Sequence, residues 1–266
     1  MSDATMESMI ASARAYESLF VPALFGQWAS RVADLARLAV GERVLDVACG
    51  TGVLAREAQR RTAPTGYVAG LDPGPGMLAV ARELAPLVDW REGRAEAMPF
   101  ADGAFDAVVS QFGLMFTDAG SAVREMLRVL RPGGPLVVAV WNDVENIPAY
   151  AAEIGVLERI AGPRAADALR APFVLGRPGV LAGLFEDAGA GEVVIGAGAG
   201  VARFPSIRVM VEADLRGWLP VMGVNLGEEV IARVLDEADA VLSDHAGPDG
   251  TVEFATSALL VAARKP

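Results

Sequence analysis

The chain has 266 residues, of which 53% are hydrophobic, and its formal net charge is −11 at pH 7. This length and this hydrophobic fraction suffice for one large α/β domain with an added cap, or for two small domains, and they exclude a disordered chain. The acidic balance argues against a nucleic-acid backbone as partner, and a single cysteine excludes an internal disulfide framework.

The termini and apolar runs bear on location. The N terminus has no basic region followed by an apolar core, so it does not resemble a secretory signal. No apolar run reaches the ~18 residues of a membrane span. We therefore expect a cytoplasmic protein that binds neither nucleic acid nor a membrane.

Two amphipathic helices are predicted ahead of the first strand. The first covers residues 5–20 and carries its apolar side chains at helical spacing on one face. The second is an apolar stripe that starts at Trp28 and leads to Gly41. Together, residues 1–40 are predicted to form a helical lid.

Residues 44–52 follow as a buried strand and a tight turn that opens the next helix. Gly50 and Gly52 allow backbone angles denied to other residues and let the main chain approach a ligand closely. Asp72 ends the second strand, 20 positions after Gly52. A carboxylate there can accept both hydroxyls of a ribose that lies across the first turn, so the pattern predicts a nucleoside site.

Two classes of cofactor use such a site. The segment from Gly50 to Ala55 satisfies the Gly-x-Gly-x-x-Gly/Ala form of a dinucleotide fingerprint, which keeps a nicotinamide-dependent oxidoreductase open as an alternative. Asp46, however, stands near the carboxyl end of the same strand, where a pyrophosphate would meet a like charge. That carboxylate favours a ligand with cationic groups nearby, such as the ammonium and sulfonium of S-adenosylmethionine (SAM).

On these residues the chain resembles the class I SAM-dependent methyltransferases, and among them the ubiquinone/menaquinone-biosynthesis-like (methyltransferase type 11) branch. Residues 44–52 match the first motif of that family and Asp72 the second, while residues 92–100, 105–111 and 127–134 resemble the later motifs. The resemblance implies an α/β fold: a doubly wound, Rossmann-like, seven-stranded, mostly parallel sheet whose last strand is antiparallel, plus a helical cap. It also implies methyl transfer from SAM to oxygen, carbon or nitrogen of a small molecule, by in-line displacement without a metal.

The resemblance further assigns residues to the cofactor. Tyr16 would reach the cofactor from the lid, and Pro73 and Met77 would line the adenine, although ordinary packing would also explain Tyr16 and Met77. Arg94 departs from the family pattern, because an acidic residue commonly stands there to accept the adenine amino group and a guanidinium only donates. The backbone of Ala95 or the carboxylate of Glu96 is then expected to recognise adenine.

Further candidates follow the fourth predicted strand, at the sheet edge where ligands bind in open α/β sheets. Gln111 offers both donors and an acceptor to the cofactor or to a substrate. Phe112, Met115 and Phe116 either wall a dry pocket or pack in the core. The complete set of predicted cofactor-binding residues is Tyr16, Asp46, Ala48, Gly50, Gly52, Asp72, Pro73, Met77, Ala95, Glu96 and Gln111.

The rest of the chain is divided by its helical and strand patterns. Residues 41–141 are predicted to be the SAM-binding core, and residues 142–202 the remainder of the core with a helical insertion. Within that insertion we expect residues 162–172 to be a connector broken by glycine and proline. About 45 residues separate the sixth and seventh strands, far more than a normal connection. We therefore predict substrate-cap helices over residues 203–249 and a closing strand over residues 250–266.

No catalytic residue is assigned. His245, the single histidine, ends a predicted helix before a turn, a position that suits a helix C-terminal cation rather than a base. Two further functional alternatives stay open: a methyltransferase-like fold that uses SAM for a rearrangement or cyclisation, and a non-catalytic binding module. The acceptor and the oligomeric state, with a homodimer as one option, also stay open.

Overall fold

The computed structural model describes residues 3–266, and its centre is a seven-stranded sheet in the order β3-β2-β1-β4-β5-β7-β6. Neighbouring strands among β1 to β5 run parallel, whereas β7 is antiparallel to both β5 and β6. The predicted fold class is therefore confirmed. The strands are β1 Arg43–Val47, β2 Tyr67–Asp72, β3 Asp89–Glu92, β4 Ala107–Gln111, β5 Pro135–Trp141, β6 Gly191–Phe204 and β7 Val252–Arg264.

Helices cover both faces of the sheet. They are α1 Asp3–Phe20, α2 Gly26–Leu35, α3 Val53–Thr62, α4 Pro75–Leu84, α5 Ala119–Val129, α6 Pro148–Ala161, α7 Pro163–Arg170, α8 Pro178–Asp187, α9 Ile207–Ala213, α10 Leu219–Val221 and α11 Glu228–Val241. Two π-helices, Val21–Phe25 and Asp214–Trp218, join α1 to α2 and α9 to α10. Over residues 3–266, no helix combines the length and apolarity that crossing a bilayer requires.

The side chains of the buried strands point alternately to the two faces of the sheet and form two separate apolar layers. Val44 packs in one layer with Trp28 of α2, whereas Leu45, its neighbour in β1, packs in the other with Met126 of α5 and Phe185 of α8. Successive side chains of a strand point to opposite faces, so a strand buried on both sides reads as a continuous apolar run. The carboxyl ends of β1 and β4 lie side by side at the point where the strand order reverses. Sheets of this type bind ligands at that point.

The prediction of an irregular connector over residues 162–172 is wrong. Pro163 occupies the first position of α7, and Gly162 precedes it with a φ of +87°. Ala166 and Leu169 of α7 are buried. Here glycine and proline begin a helix instead of interrupting one, because proline is pre-organised for the first helical turn.

The lid helix and the cap helices both approach the carboxyl edge of the sheet. Helix α1 lies so close to α4 that a Cβ on Gly76 would come within 2.5 Å of the Met9 carbonyl oxygen. On the other side, the Trp218 ring lies 5.1 Å from the ring of Phe116, which follows β4. The division into lid, core and cap stays a prediction, and residues 1 and 2 of the predicted lid lie outside the described residues.

Candidate functional site

A small cavity of about 50 Å³ lies at the carboxyl ends of β1 and β4. It brings together five of the eleven predicted cofactor-binding residues, namely Tyr16, Asp46, Ala48, Gly50 and Gln111. The remaining lining residues are Cys49, Thr51, Val53, Leu54 and Phe112. The cavity is therefore built from the lid, the turn after β1 and the end of β4.

The backbone is strained where β1 and β4 end. Ala48 and Phe112 both adopt left-handed conformations, with φ of +56° and +55°, which non-glycine residues rarely do. The two turns also touch, because a Cβ on Gly113 would lie 2.3 Å from the Cβ of Ala48. Strain of this kind persists only where the surrounding structure enforces it, and it clusters at ligand sites.

Gly52 is required by both its conformation and its neighbour. Its φ is +86°, and a Cβ there would lie 2.3 Å from Cη2 of Trp90. The indole of Trp90 is held in place because its Nε1 donates to the carbonyl of Ala85 at 2.9 Å. The second glycine of the motif thus lets the turn close against the ring of a β3 residue.

Asp46 is the most unusual group at the cavity. Its side chain is 1% exposed, and neither carboxyl oxygen has a regular hydrogen-bond partner among residues 3–266. Burial raises the pKa of this carboxyl well above its usual value, and the Ala55 backbone and the Arg56 guanidinium oppose that shift only in part. Since a buried polar group without a partner is costly, this carboxyl is complementary to a donor or a cation.

The other polar groups around the cavity also present acceptors. Thr51 Oγ1 and Gln111 Oε1 are buried without a hydrogen-bond partner in the described part of the chain. The amide nitrogen of Gln111 is already used, because it donates to the carbonyl of Phe25 at 3.0 Å. The Tyr16 ring stacks on Phe25 at 5.4 Å, and burial, followed by the nearby carboxylates, raises the pKa of its phenol. The cavity is therefore suited to a ligand rich in donors and positive charge.

Asp72 joins the turn after β1 to the turn after β2. One of its oxygens accepts the Gly50 N–H at 2.8 Å, and the other accepts the Gly74 N–H at 2.7 Å. Burial raises the pKa of Asp72, and these two amides oppose that shift. Each carboxylate oxygen keeps a second lone pair, so the predicted bonds to ribose hydroxyls are compatible with this structural role.

The remaining predicted residues are not among those that line the cavity: Gly52, Asp72, Pro73, Met77, Ala95 and Glu96. Glu96 Oε1 accepts the Asp118 N–H at 2.9 Å and pairs with Arg94 at 3.3 Å. The side chain of Ala95 is buried. Glu96 thus ties the loop after β3 to the start of α5, and the adenine-binding role of these residues stays a prediction.

Four lining residues were not predicted: Cys49, Thr51, Val53 and Leu54. Thr51 lies between the two glycines of the turn, so its position in the motif could have predicted that it lines the cavity. Cys49 is a buried free cysteine, and burial raises the pKa of its thiol well above the usual value. Phe112 lines the cavity and stacks on Trp141 at 4.0 Å, whereas Phe116 is 46% exposed.

Comparison with known sequences points to one protein family. Residues 44–134 match the family model described as a methyltransferase domain. A demethylmenaquinone methyltransferase of Thermus thermophilus is 47% identical over 117 residues, which are 42% of this chain and 53% of that protein. The ubiquinone/menaquinone biosynthesis C-methyltransferase UbiE of Pseudomonas putida is 39% identical over 126 residues, which are 45% of this chain and 49% of that protein. The chain thus spans about half the length of the curated relatives it matches.

Solved structures share the fold across most of the chain. A putative methyltransferase of Bacillus halodurans has a TM-score of 0.59 at 22% identity, covering 90% of this chain and 98% of that one. A geranyl diphosphate C-methyltransferase of Streptomyces coelicolor, solved with S-adenosyl-L-homocysteine, has a TM-score of 0.54 at 16% identity, covering 91% of this chain and 80% of that one. Structural similarity at these low sequence identities establishes the fold alone.

Proposed function

We propose that this chain, whose residues 44–134 match the family model described as a methyltransferase domain, transfers a methyl group from SAM to a small-molecule acceptor. The predicted resemblance to that family, and to its ubiquinone/menaquinone-biosynthesis-like branch, is confirmed by the matching domain and by the two relatives. The observation that carries the proposal is the buried carboxyl of Asp46 at the first motif, whose oxygens have no regular hydrogen-bond partner within the described part of the chain. It calls for a cationic ligand at the place where this family holds its cofactor.

The acceptor groups at the cavity fit the chemistry of SAM. The amino-acid end of SAM carries an ammonium, its sulfur is a sulfonium, and its ribose has two hydroxyl donors. Asp46 and Gln111 would hold the positively charged end, and Asp72 would accept from the ribose. A dinucleotide would instead place a pyrophosphate near the Asp46 carboxyl, so the nicotinamide alternative gains no support.

SAM, when bound, supplies an electrophilic methyl group for an in-line displacement. The task of the protein is then to hold nucleophile, methyl carbon and sulfur in line at ~3 Å contact and to exclude water. Tyr16 and Phe112 both line the cavity, and the bond from Gln111 to Phe25 ties the lid to the end of β4. No base is assigned, since His245 lies in a short turn against Phe254, with the rings 5.9 Å apart.

The lid has to move for the cofactor to enter. The cavity holds about 50 Å³, whereas pockets for ligands of this size measure roughly 300–1,000 Å³. Helix α1 supplies Tyr16 to the cavity, and Phe25 of the π-helix Val21–Phe25 stacks on the Tyr16 ring. We therefore infer that the described conformation is closed, and that this segment swings away from α4 when SAM binds or its product leaves.

The acceptor is proposed to be a small, largely apolar molecule held between the lid and the cap over residues 203–249. The names of the two relatives refer to demethylmenaquinone and to ubiquinone/menaquinone biosynthesis, which makes a demethylated quinone the first acceptor to test. The cytoplasmic location and a possible homodimer stay predictions from the sequence.

The test is an incubation of the full chain with SAM labelled on its methyl group and demethylmenaquinone. We expect labelled product and S-adenosylhomocysteine in equal amounts, and Asp46→Asn should lower both together when SAM is below saturation. If no demethylated quinone receives the label, quinones are excluded as the acceptor class. Saturable SAM binding with no S-adenosylhomocysteine from any acceptor would contradict methyl transfer and favour a non-methylating reaction.

A further inference from the structure

The two edges of the sheet differ in how they are protected against pairing with a further strand. Strand β3 forms one edge and β6 forms the other. Strand β3 is four residues long, and three of them, Asp89, Arg91 and Glu92, carry a charge. Strand β6 is 14 residues long, and its residues 193–202 include neither a charged side chain nor a proline. Short length, charge and proline are the devices that keep edges unpaired, so β3 is protected and the middle of β6 is not.

The side chain of Gln27 shows which backbone groups of β6 point away from the sheet. Its amide nitrogen donates to the Val201 carbonyl at 2.8 Å, and its amide oxygen accepts the Val201 N–H at 2.9 Å. Both main-chain groups of Val201 are therefore turned away from β7. In an antiparallel strand this orientation recurs at every second residue. Ala199, Ala197 and Ile195 thus also point their N–H and C=O groups outward.

Residues 194–198, which we call the open edge, are accessible and have small side chains at their centre. Val194 is 65% exposed, and Gly196 and Ala197 are exposed as well. A Cβ on Gly196 would meet nothing within 4 Å. A register shift between Gly191 and Val194 ends the regular ladder on one side. Another strand can therefore approach the open edge without meeting a bulky or charged side chain.

We propose that the open edge of β6 pairs with the open edge of a second copy of this chain, antiparallel and about a two-fold axis at Gly196. Ile195 of each copy then faces Ala197 of the other. Both residues point their N–H and C=O groups outward, and each such pair exchanges two hydrogen bonds. A two-fold contact uses the same patch on both subunits, so the two sheets join into one continuous sheet through β6.

Charges on either side of the open edge favour a second copy as the partner. Arg31 is exposed and donates to the Ala199 carbonyl, a contact that does not neutralise its charge. Glu192 lies at the other end of the open edge with its side chain 75% exposed, and it pairs with Arg264 at 3.1 Å. Antiparallel pairing about Gly196 brings Glu192 of one copy opposite Ala199 of the other, beside Arg31. The two-fold axis forms this contact between opposite charges twice.

Sedimentation velocity on the full chain, without any ligand, measures the assembly. The wild-type chain should form dimers, and the dimer fraction should rise with protein concentration. Ala197→Lys should sediment as a monomer, because it places two like charges near the axis. Ala197→Pro should do the same, since proline removes an outward N–H that β7 does not use. Leu87→Lys is the matched control: it adds the same charge at an 87% exposed apolar side chain ahead of β3, and it should keep the wild-type dimer.

A charge reversal tests whether the partner is a second copy in this register. Arg31→Glu and Glu192→Arg should each weaken the dimer about two- to fivefold, and the double variant should restore it, because the reversed charges attract again.

A wild-type chain that stays monomeric at every concentration would overturn the proposal. A dimer that survives Ala197→Lys, or a double variant that does not recover, would overturn it too. If Ala197→Pro does not fold, Ala197→Lys and the charge reversal still decide. These measurements use neither cofactor nor acceptor, so a failure of methyl transfer would leave them unaffected.

Discussion

Binding of SAM should expel a proton from Asp46. Neither oxygen of the free carboxyl has a regular hydrogen-bond partner among residues 3–266, and burial raises its pKa well above the usual value, which favours the protonated form. A cation that arrives within hydrogen-bond distance favours the carboxylate instead, so the pKa of the bound state falls. The proton that Asp46 held is then released to solvent as the complex forms.

The size of the effect follows from linkage. At a pH below the pKa of the free group, each released proton strengthens binding about tenfold per pH unit. Affinity for SAM should therefore rise with pH and level off above that pKa. Asp46→Asn keeps the shape but cannot become an anion, so it should lose a charged hydrogen bond worth about 1.5–3 kcal/mol. That loss corresponds to roughly 10- to 150-fold weaker binding.

Isothermal titration calorimetry measures both quantities. Titrations of SAM at pH 6 and pH 7.5, each in two buffers with different ionisation enthalpies, give the number of protons released. Wild-type protein should release protons when it binds SAM, because the bound cation lowers the raised pKa of Asp46, and Asp46→Asn should release none. Identical heats in both buffers for wild type, or equal affinity in the variant, would refute the assignment of Asp46 to the cationic end of the ligand.

Three further substitutions, with Gly133→Ala as the matched control for Gly52→Ala, test the site and the lid. Asp72→Ala should weaken SAM binding by ~1–3 kcal/mol, because both the ribose hydroxyls and the backbone amides of two turns lose the carboxylate that accepts their hydrogen bonds. Unchanged affinity by calorimetry would place the ribose elsewhere. Gly52→Ala should lower the free energy of unfolding by about 2–4 kcal/mol through strain and collision with Trp90. Gly133→Ala, whose φ is +73° but whose Cβ would meet nothing within 4 Å, should lose only about 1–2 kcal/mol; equal losses in urea denaturation would contradict the collision. Gly76→Ala should detach α1 from α4 and speed limited proteolysis of residues 3–20, and a wild-type cleavage rate would show that this contact does not hold the lid.

The local part of the site was predictable from the sequence. The turn after β1 depends on glycines and on a buried apolar strand, and both are visible in residues 44–52. Asp72 was recognisable because it ends a strand at a fixed distance from that turn. Helix α7 was missed because glycine and proline at its start indicate a break as readily as a helix N terminus.

The contacts between distant segments were not predictable. The approach of Gly113 to Ala48 and the bond from Gln111 to Phe25 arise from packing between separate elements. In the sequence, Glu153 and Asp214 look like ordinary acids on the polar face of a helix, yet both are buried. Local patterns specify the elements and the motif, whereas burial of polar groups depends on how those elements pack.

The most direct measurement of the central claim is a competition binding experiment on the purified full chain. Labelled SAM is bound to saturation and then challenged with S-adenosylhomocysteine or with NAD. The account predicts one SAM site per chain, displacement by S-adenosylhomocysteine, and none by NAD. Failure to bind SAM, or its displacement by NAD at the same site, would contradict the account.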